Sequence, residues 1–210
     1  MQSSLIYVEG IIGAGKSTFV QNLSEKIDNL IAIKEPVEEW QRDGILEKYY
    51  KDMRRWALSF QLRIIHDKTK ILNKIPNIDN NTYIVERSIY SDQCFTNTLN
   101  KFDILDEFDF RLSNDVRDIY EETTTKTPNL IIYLRPSLDT CMQRVKKRNR
   151  QEEKNLTVEY QQTLLNYHDD MFNHSHLKIM NNTNVPILIL EDNDITDDLI
   201  KKIQTYINHQ

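Results

Sequence analysis

The stretch Leu5-Ile6-Tyr7-Val8-Glu9-Gly10-Ile11-Ile12-Gly13-Ala14-Gly15-Lys16-Ser17-Thr18 decides how this chain is built. Leu5–Val8 is a short apolar run that reads as a buried strand. The run breaks into glycines, and from Lys16 to Ile27 apolar residues return at helical spacing. Between strand and helix, Gly10 to Ser17 fits the phosphate-binding pattern GxxxxGK[ST] in the context that pattern requires. Glycines let backbone N–H groups turn toward phosphate oxygens, and the helix N-terminus adds its dipole. Lys16 is placed to reach the β- and γ-phosphates of a nucleotide and the Ser17 hydroxyl to bind Mg²⁺. Gly10, Gly13, Ala14, Gly15 and Thr18 complete the cradle. The chain has only 4 glycines and all but Gly44 fall in this loop, so chance clustering is a poor account of it.

Outward from the loop, Tyr83–Val85, Leu130–Leu134 and Ile187–Leu190 read as further buried strands, with Leu30–Ile33 a weaker fifth. Helical spacing marks Met53–Ile75, Asp103–Thr123, Leu138–Arg148, Thr157–Phe172 and Ile195–Ile207. Alternating strands and helices predict a doubly wound, five-stranded parallel sheet with ligands at the carboxyl ends of the strands. Pro128 and Pro186 are expected just before strands. No repeat or Pro/Gly/Ser-rich linker divides the 210 residues, so one domain is expected.

Lys+Arg 27 against Asp+Glu 32 gives a net charge of −5, which offers no global attraction to a nucleic-acid polymer or an acidic membrane. A polyanionic ligand therefore needs a local basic site. Cys94 and Cys141 form no CxxC pair, which suits a reduced cytoplasmic protein without structural zinc. No apolar run reaches the ~18 residues of a membrane span, and the early strand leaves no room for a targeting peptide. The sequons at Asn80 and Asn155 read as chance, and the histidines at 66, 168, 174, 176 and 209 show no metal-ligand spacing.

A GTPase would also carry NKxD and DxxG elements. Asn100-Lys101-Phe102-Asp103 fits the first, but no buried strand precedes it, and Gly44 has Gln at position 41. Five segments point elsewhere: the glycine loop, Glu35-Pro36-Val37-Glu38-Glu39-Trp40, Trp56 with Phe60-Gln61, Glu86-Arg87-Ser88, and Arg148-Asn149-Arg150-Gln151-Glu152-Glu153. With them the chain resembles, over nearly its whole length, the deoxynucleoside kinase family. The resemblance implies a P-loop kinase fold, α/β, with a short basic lid at about 144–155, working as a homodimer.

Each segment has a chemical reading beside the implied one. Glu35 lies just past the second strand, where a carboxylate can take the proton of an attacking hydroxyl; the resemblance implies that role. It also implies that Glu86 helps hold Mg²⁺ and that Arg87 positions Glu35 and the 5′-oxygen, although a strand-end Glu-Arg pair is often a plain salt bridge. Arg144, Arg148 and Arg150 lie in a basic run, usually a solvated helix face, which in the family closes over the phosphoryl group of ATP. Glu153 with Tyr50 is implied to hold the sugar 3′-hydroxyl.

At the base, Gln61 offers donor and acceptor together, and Trp40 and Phe95 offer apolar surface; surface exposure and core packing are their ordinary alternatives. Lys68 follows Gln61 by seven residues, about two helical turns, and so shares its face. In the family, members preferring cytosine and purines carry an Arg–Asp pair where this chain has Lys68 and Asp92. A carboxylate accepts from an exocyclic amino group but repels the thymine O4, so deoxycytidine and deoxypurine nucleosides are expected over thymidine. Lysine at 68 lacks the planar fork of arginine, the Asp92–Phe95 stretch is one residue shorter than in relatives, and Ile11 replaces their usual asparagine. The rivals are a thymidylate-like nucleoside monophosphate kinase, for which Glu35 would repel the acceptor phosphate, and a non-catalytic nucleotide-binding subunit. After the last strand, relatives wrap the donor adenine with a loop of mainly backbone contacts, here Glu191–Ile195.

Overall fold

β1 (Ser4–Glu9) runs straight into the glycine loop and α1 (Lys16–Ser24). These and the elements below belong to a computed structural model that describes residues 3–123, 126–179 and 183–208; His209 lies outside them. β2 (Leu30–Ile33) leads into α2 (Val37–Arg42), α3 (Ile45–Lys51) and the long α4 (Met53–Leu72). β3 (Thr82–Glu86) is followed by α5 (Ile89–Lys101) and α6 (Glu107–Thr123). β4 (Leu130–Leu134) precedes α7 (Leu138–Arg148), a 3₁₀ turn (Gln151–Asn155) and α8 (Val158–Phe172). A hairpin of β5 (His176–Lys178) and β6 (Asn184–Leu190) and then α9 (Asp197–Asn208) complete the described chain.

The sheet order is β2-β3-β1-β4-β6-β5. The five expected strands pair in parallel, Val8 opposite Glu86 and Ile132 opposite Leu188 among the registers. A sixth, β5, adds antiparallel to the edge, so the expected five-stranded sheet has six strands. Three residues, two of them exposed, leave no periodicity to read. Pro186 sits inside β6 rather than before it, but pairing with β4 begins only at Ile187, so its missing N–H breaks no bond on that side.

β1, β3 and β4 are buried along their whole length, which is why they read as unbroken apolar runs. Phe19, Val20 and Leu23 of α1 and Leu164 and Phe172 of α8 pack in the same core. β1 lies between β3 and β4 while the next strand in sequence, β2, lies beyond β3. The winding therefore reverses at β1 and opens a crevice at the carboxyl ends of the strands. Side-chain caps start the helices around it: Asp52 accepts from Arg55 N, Ser88 from Tyr90 N, Ser137 from Thr140 N and Thr157 from Tyr160 N. α7 stops at Asn149, left-handed at φ 51, so the basic run ends the helix at Arg148 and Arg150 caps the start of the 3₁₀ turn. Among the described residues, no helix is long and apolar enough to cross a membrane.

Candidate active site

Gly13 shows why the loop needs glycine: a Cβ there would lie 2.4 Å from the Cys141 carbonyl oxygen, and φ is +85. The loop delivers Lys16, buried, to the head of a cleft of about 370 Å³, a volume within the usual range for small-molecule sites. Lys16 Nζ donates to the carbonyl of Ile11 at 2.9 Å. Burial, then the neighbouring Arg87, lowers the Lys16 pKa to about 7. The Ser17 hydroxyl donates to Glu86 Oε1 at 2.8 Å, joining the start of α1 to the end of β3. Thr18 is exposed on the first turn of α1 and is not among the cleft-lining residues.

Across the cleft, Glu35 leaves the end of β2 and meets Arg87, whose Nε donates to Glu35 Oε2 at 3.1 Å. Arg87 Nη1 also donates to the carbonyl of Gly10 at 2.9 Å. Burial pulls the Arg87 pKa down, but Glu35, Glu86, Glu9 and Asp92 outweigh it and hold the guanidinium above its ordinary value. Glu35, Arg87, Lys16, Ser17 and Glu86 thus share one cavity.

The far end is lined by Trp40, Phe60, Gln61, Asp92 and Phe95. Trp40 is fixed edge-on to Phe60 at 5.3 Å and by an indole N–H donated to Asp67 at 2.8 Å. Despite the shortened Asp92–Phe95 stretch, Phe95 reaches the cleft, with the Arg87 guanidinium 4.7 Å over its ring. Lys68 lies behind the wall, donating to Asp92 Oδ1 and to the Ser88 carbonyl at 2.8 Å. Burial raises the Asp92 pKa while Lys68 opposes it. Gln61 Oε1 and Asp92 Oδ2 are buried without a hydrogen-bond partner, an arrangement that folded proteins rarely leave unexplained.

Arg148, Arg150, Glu153 and Tyr50 line the remaining side. Arg148 Nη2 donates to both Glu153 oxygens, at 2.8 and 2.7 Å, and Arg150 Nη1 to Oε1 at 3.3 Å. Burial, then Glu153, raises the Tyr50 pKa. Arg144 stands outside the cleft lining, its Nη1 donating to the Ala14 carbonyl at 2.9 Å.

Asn193 binds that same carbonyl through its side chain at 2.8 Å, and a Cβ on Gly15 would lie 2.2 Å from its Nδ2. The post-strand loop therefore also supplies a side chain that braces the phosphate loop. Gln161 of α8 donates to the Ile12 carbonyl at 2.7 Å, and Glu9 is fully buried beside Ser88. Sequence reasoning gave Glu9 and Gln161 no role and reached Asn193 only as part of the Glu191–Ile195 loop, although a charged residue closing an apolar strand was a signal for Glu9. Among the described residues no group of His, Cys, Asp and Glu is arranged to hold a metal by itself.

The profile of the deoxynucleoside kinase family matches residues 6–208. A probable deoxycytidine kinase of fowlpox virus is 32% identical over 195 residues, covering 92% of this chain and 81% of that protein. The mitochondrial deoxyguanosine kinase of Xenopus laevis is 27% identical over 240 residues, covering 99% and 91%. A solved deoxyadenosine kinase from M. mycoides, with the products dCMP and a flexible dCDP bound, aligns at TM-score 0.75 with 28% identity, covering 97% of this chain and 98% of that one.

Proposed function

Because this chain belongs to the deoxynucleoside kinase family, we propose that it transfers the γ-phosphoryl group of ATP, with Mg²⁺, to the 5′-hydroxyl of deoxynucleosides, preferring deoxycytidine and deoxypurine nucleosides to thymidine. The observation that carries this reading is a single cleft holding the phosphate-loop residues Lys16 and Ser17 together with the Glu35–Arg87 pair.

Glu35 accepts the proton of the attacking hydroxyl, a contribution of typically ~10²–10⁴-fold. Arg87 holds the Glu35 carboxylate and meets the 5′-oxygen. Lys16, Arg148 and Arg150 neutralise charge developing on the transferred group, and Arg144 supports the donor side. The Ser17 hydroxyl and the Glu86 carboxylate are adjacent hard oxygen donors and fit Mg²⁺, which when bound neutralises phosphate charge. Tyr50 and Glu153 take the 3′-hydroxyl, and residues 144–155 act as the lid.

The base lies between Trp40 and Phe95. A buried acceptor without a partner is costly, and an exocyclic amino group supplies the donor that Asp92 Oδ2 lacks. The Gln61 amide pairs with the adjoining base edge. Thymine presents O4 there, another acceptor, and leaves the carboxylate unsatisfied. Such a mismatch is worth ~1–3 kcal/mol. In a panel of the four deoxynucleosides and their 5′-monophosphates with ATP and Mg²⁺, kcat/KM for deoxycytidine or a deoxypurine nucleoside is expected to exceed that for thymidine by about tenfold or more. A thymidine preference overturns the base reading, and turnover of monophosphates alone overturns the acceptor.

Pairing as a homodimer belongs to the same proposal. Phe108 and Ile119, both exposed on α6 and eleven residues apart, fall on one face three turns apart. Sedimentation at micromolar concentration is expected to give a dimer, and a monomer at all concentrations contradicts it.

A further inference from the structure

Glu9, the last residue of β1, carries a fully buried carboxylate that the chemistry above leaves unused. It is not one of the cleft-lining residues. Its Oε1 accepts from the Ser88 N–H at 2.8 Å and from the Ser88 hydroxyl, while Oε2 is buried without a hydrogen-bond partner. Burial raises its pKa, and Ser88, Lys68 and Arg87 work against that rise. A buried carboxylate is a costly way to satisfy one serine.

What it secures lies one residue earlier. Arg87 has φ +65, a left-handed conformation that a long L side chain keeps only where its surroundings impose it. In a regular strand Glu86 and Arg87 would point to opposite faces. The left-handed turn brings both to the cleft, Glu86 to Ser17 and Arg87 to Glu35. Three consecutive residues of β1 and its loop hold that turn. Val8 accepts from Arg87 N at 3.0 Å, Gly10 accepts from Arg87 Nη1 at 2.9 Å, and between them Glu9 grips Ser88. The Ser88 carbonyl is in turn bound by Lys68 and the Ser91 hydroxyl.

We propose that Glu9 is a positioning residue for phosphoryl transfer: through Ser88 it holds Arg87 in the left-handed conformation that aims its guanidinium at Glu35. This rests on the kinase reading above. A residue that only joined β1 to β3 would affect stability and leave turnover alone, so kcat and KM separate the two roles.

Glu9→Ala, Glu9→Gln and Ser88→Ala are compared with wild type at saturating ATP and deoxynucleoside, with Tm and circular dichroism as folding controls. Glu9→Ala is expected to lower kcat on the order of 10- to 100-fold, as misplaced catalytic groups do. KM for the deoxynucleoside should move by less than about threefold, because the contacts to the base and the 3′-hydroxyl are untouched. Glu9→Gln keeps an oxygen to accept from Ser88 and should return kcat to within about fivefold of wild type. Ser88→Ala removes one of the two bonds and should lower kcat by at least about threefold at unchanged KM. If Glu9→Ala does not fold, Ser88→Ala decides: wild-type kcat there overturns the assignment. A folded Glu9→Ala within about twofold of wild-type kcat, whatever its Tm, overturns it as well. Wild-type protein that phosphorylates no deoxynucleoside overturns this inference and the kinase reading together, whereas wild-type turnover matched by Glu9→Ala overturns this inference alone.

Discussion

Lys16 is held by its own loop, buried and bonded to the Ile11 carbonyl, with its pKa lowered to about 7. A triphosphate favours the ammonium form, so binding of ATP must restore whatever proton the burial has removed. At pH 8 the free lysine is mostly neutral, and calorimetry in two buffers of different ionisation enthalpy is expected to show about one proton taken up with MgATP; at pH 6 uptake should be small. Affinity then falls as pH rises above 7, and equal uptake at both pH values contradicts the placement. Glu35 makes a simpler test. Glu35→Gln keeps the shape and its contact to Arg87 but cannot accept the proton, so kcat should drop ~10²–10⁴-fold with KM little changed; full turnover removes Glu35 as the base. Both residues were legible in the sequence because motif and strand end coincide there. Glu9 and Gln161 were not: the charge closing β1 marked Glu9 as unusual, but the partner each binds lies far away in sequence, and no spacing reveals it.

At the scale of elements, α4 carries Gln61 to the cleft and Lys68 behind it, so its register sets the base end of the site. Its start is fixed by Asp52, whose side chain accepts from Arg55 N at 3.1 Å. Asp52→Ala should cost about 1 kcal/mol, lowering Tm by roughly 2–4 °C for a chain of this size. Buried packing at Ala57, Phe60 and Ile64 still seats the helix, so kcat/KM should stay unchanged; a large activity loss with intact Tm contradicts that division. α4 was readable, as were the strands, because long periodic or fully buried segments repeat their signal. α2 and α3, six and seven residues long, are too short to show a period. α5 was missed for another reason: its Ser, Thr and Asn residues compete for backbone hydrogen bonds and weaken helix propensity, and tertiary burial decides instead. The helix expected from Asp103 begins at Glu107, since Asp103 itself is left-handed at φ 53.

The net charge of −5 conceals how the whole molecule spends its charges. Lys16, Arg87, Arg148 and Arg150 converge on one cleft together with Glu35, Glu86, Asp92 and Glu153, and the fold rather than composition brings them there. The strand order was beyond the sequence, because pairing joins residues far apart in the chain, such as Val8 and Glu86. Beneath the cleft, His168 of α8 extends the arrangement into the core, 6.0 Å from the Phe95 ring that carries Arg87. It is fully buried, and burial, then Arg87, lowers its pKa to about 3. The unfolded chain takes up this proton near pH 6.5 and the folded chain only near 3, so stability is intact above 6.5 and lost as pH falls between the two. From pH 7 to pH 5 the loss from this group alone is about 2 kcal/mol. Glu9 and Asp92, with pKa values raised by burial, act in the opposite sense: acidification protonates them first in the folded state. A comparison with His168→Gln isolates the histidine from them. The variant should be less stable at pH 7, having lost ring packing against Tyr133 and Phe172. Its denaturation midpoint should nevertheless fall less between pH 7 and pH 5 than that of wild type. Parallel losses in the two proteins would show that His168 is protonated in the folded state and that the core beneath Arg87 admits a charge.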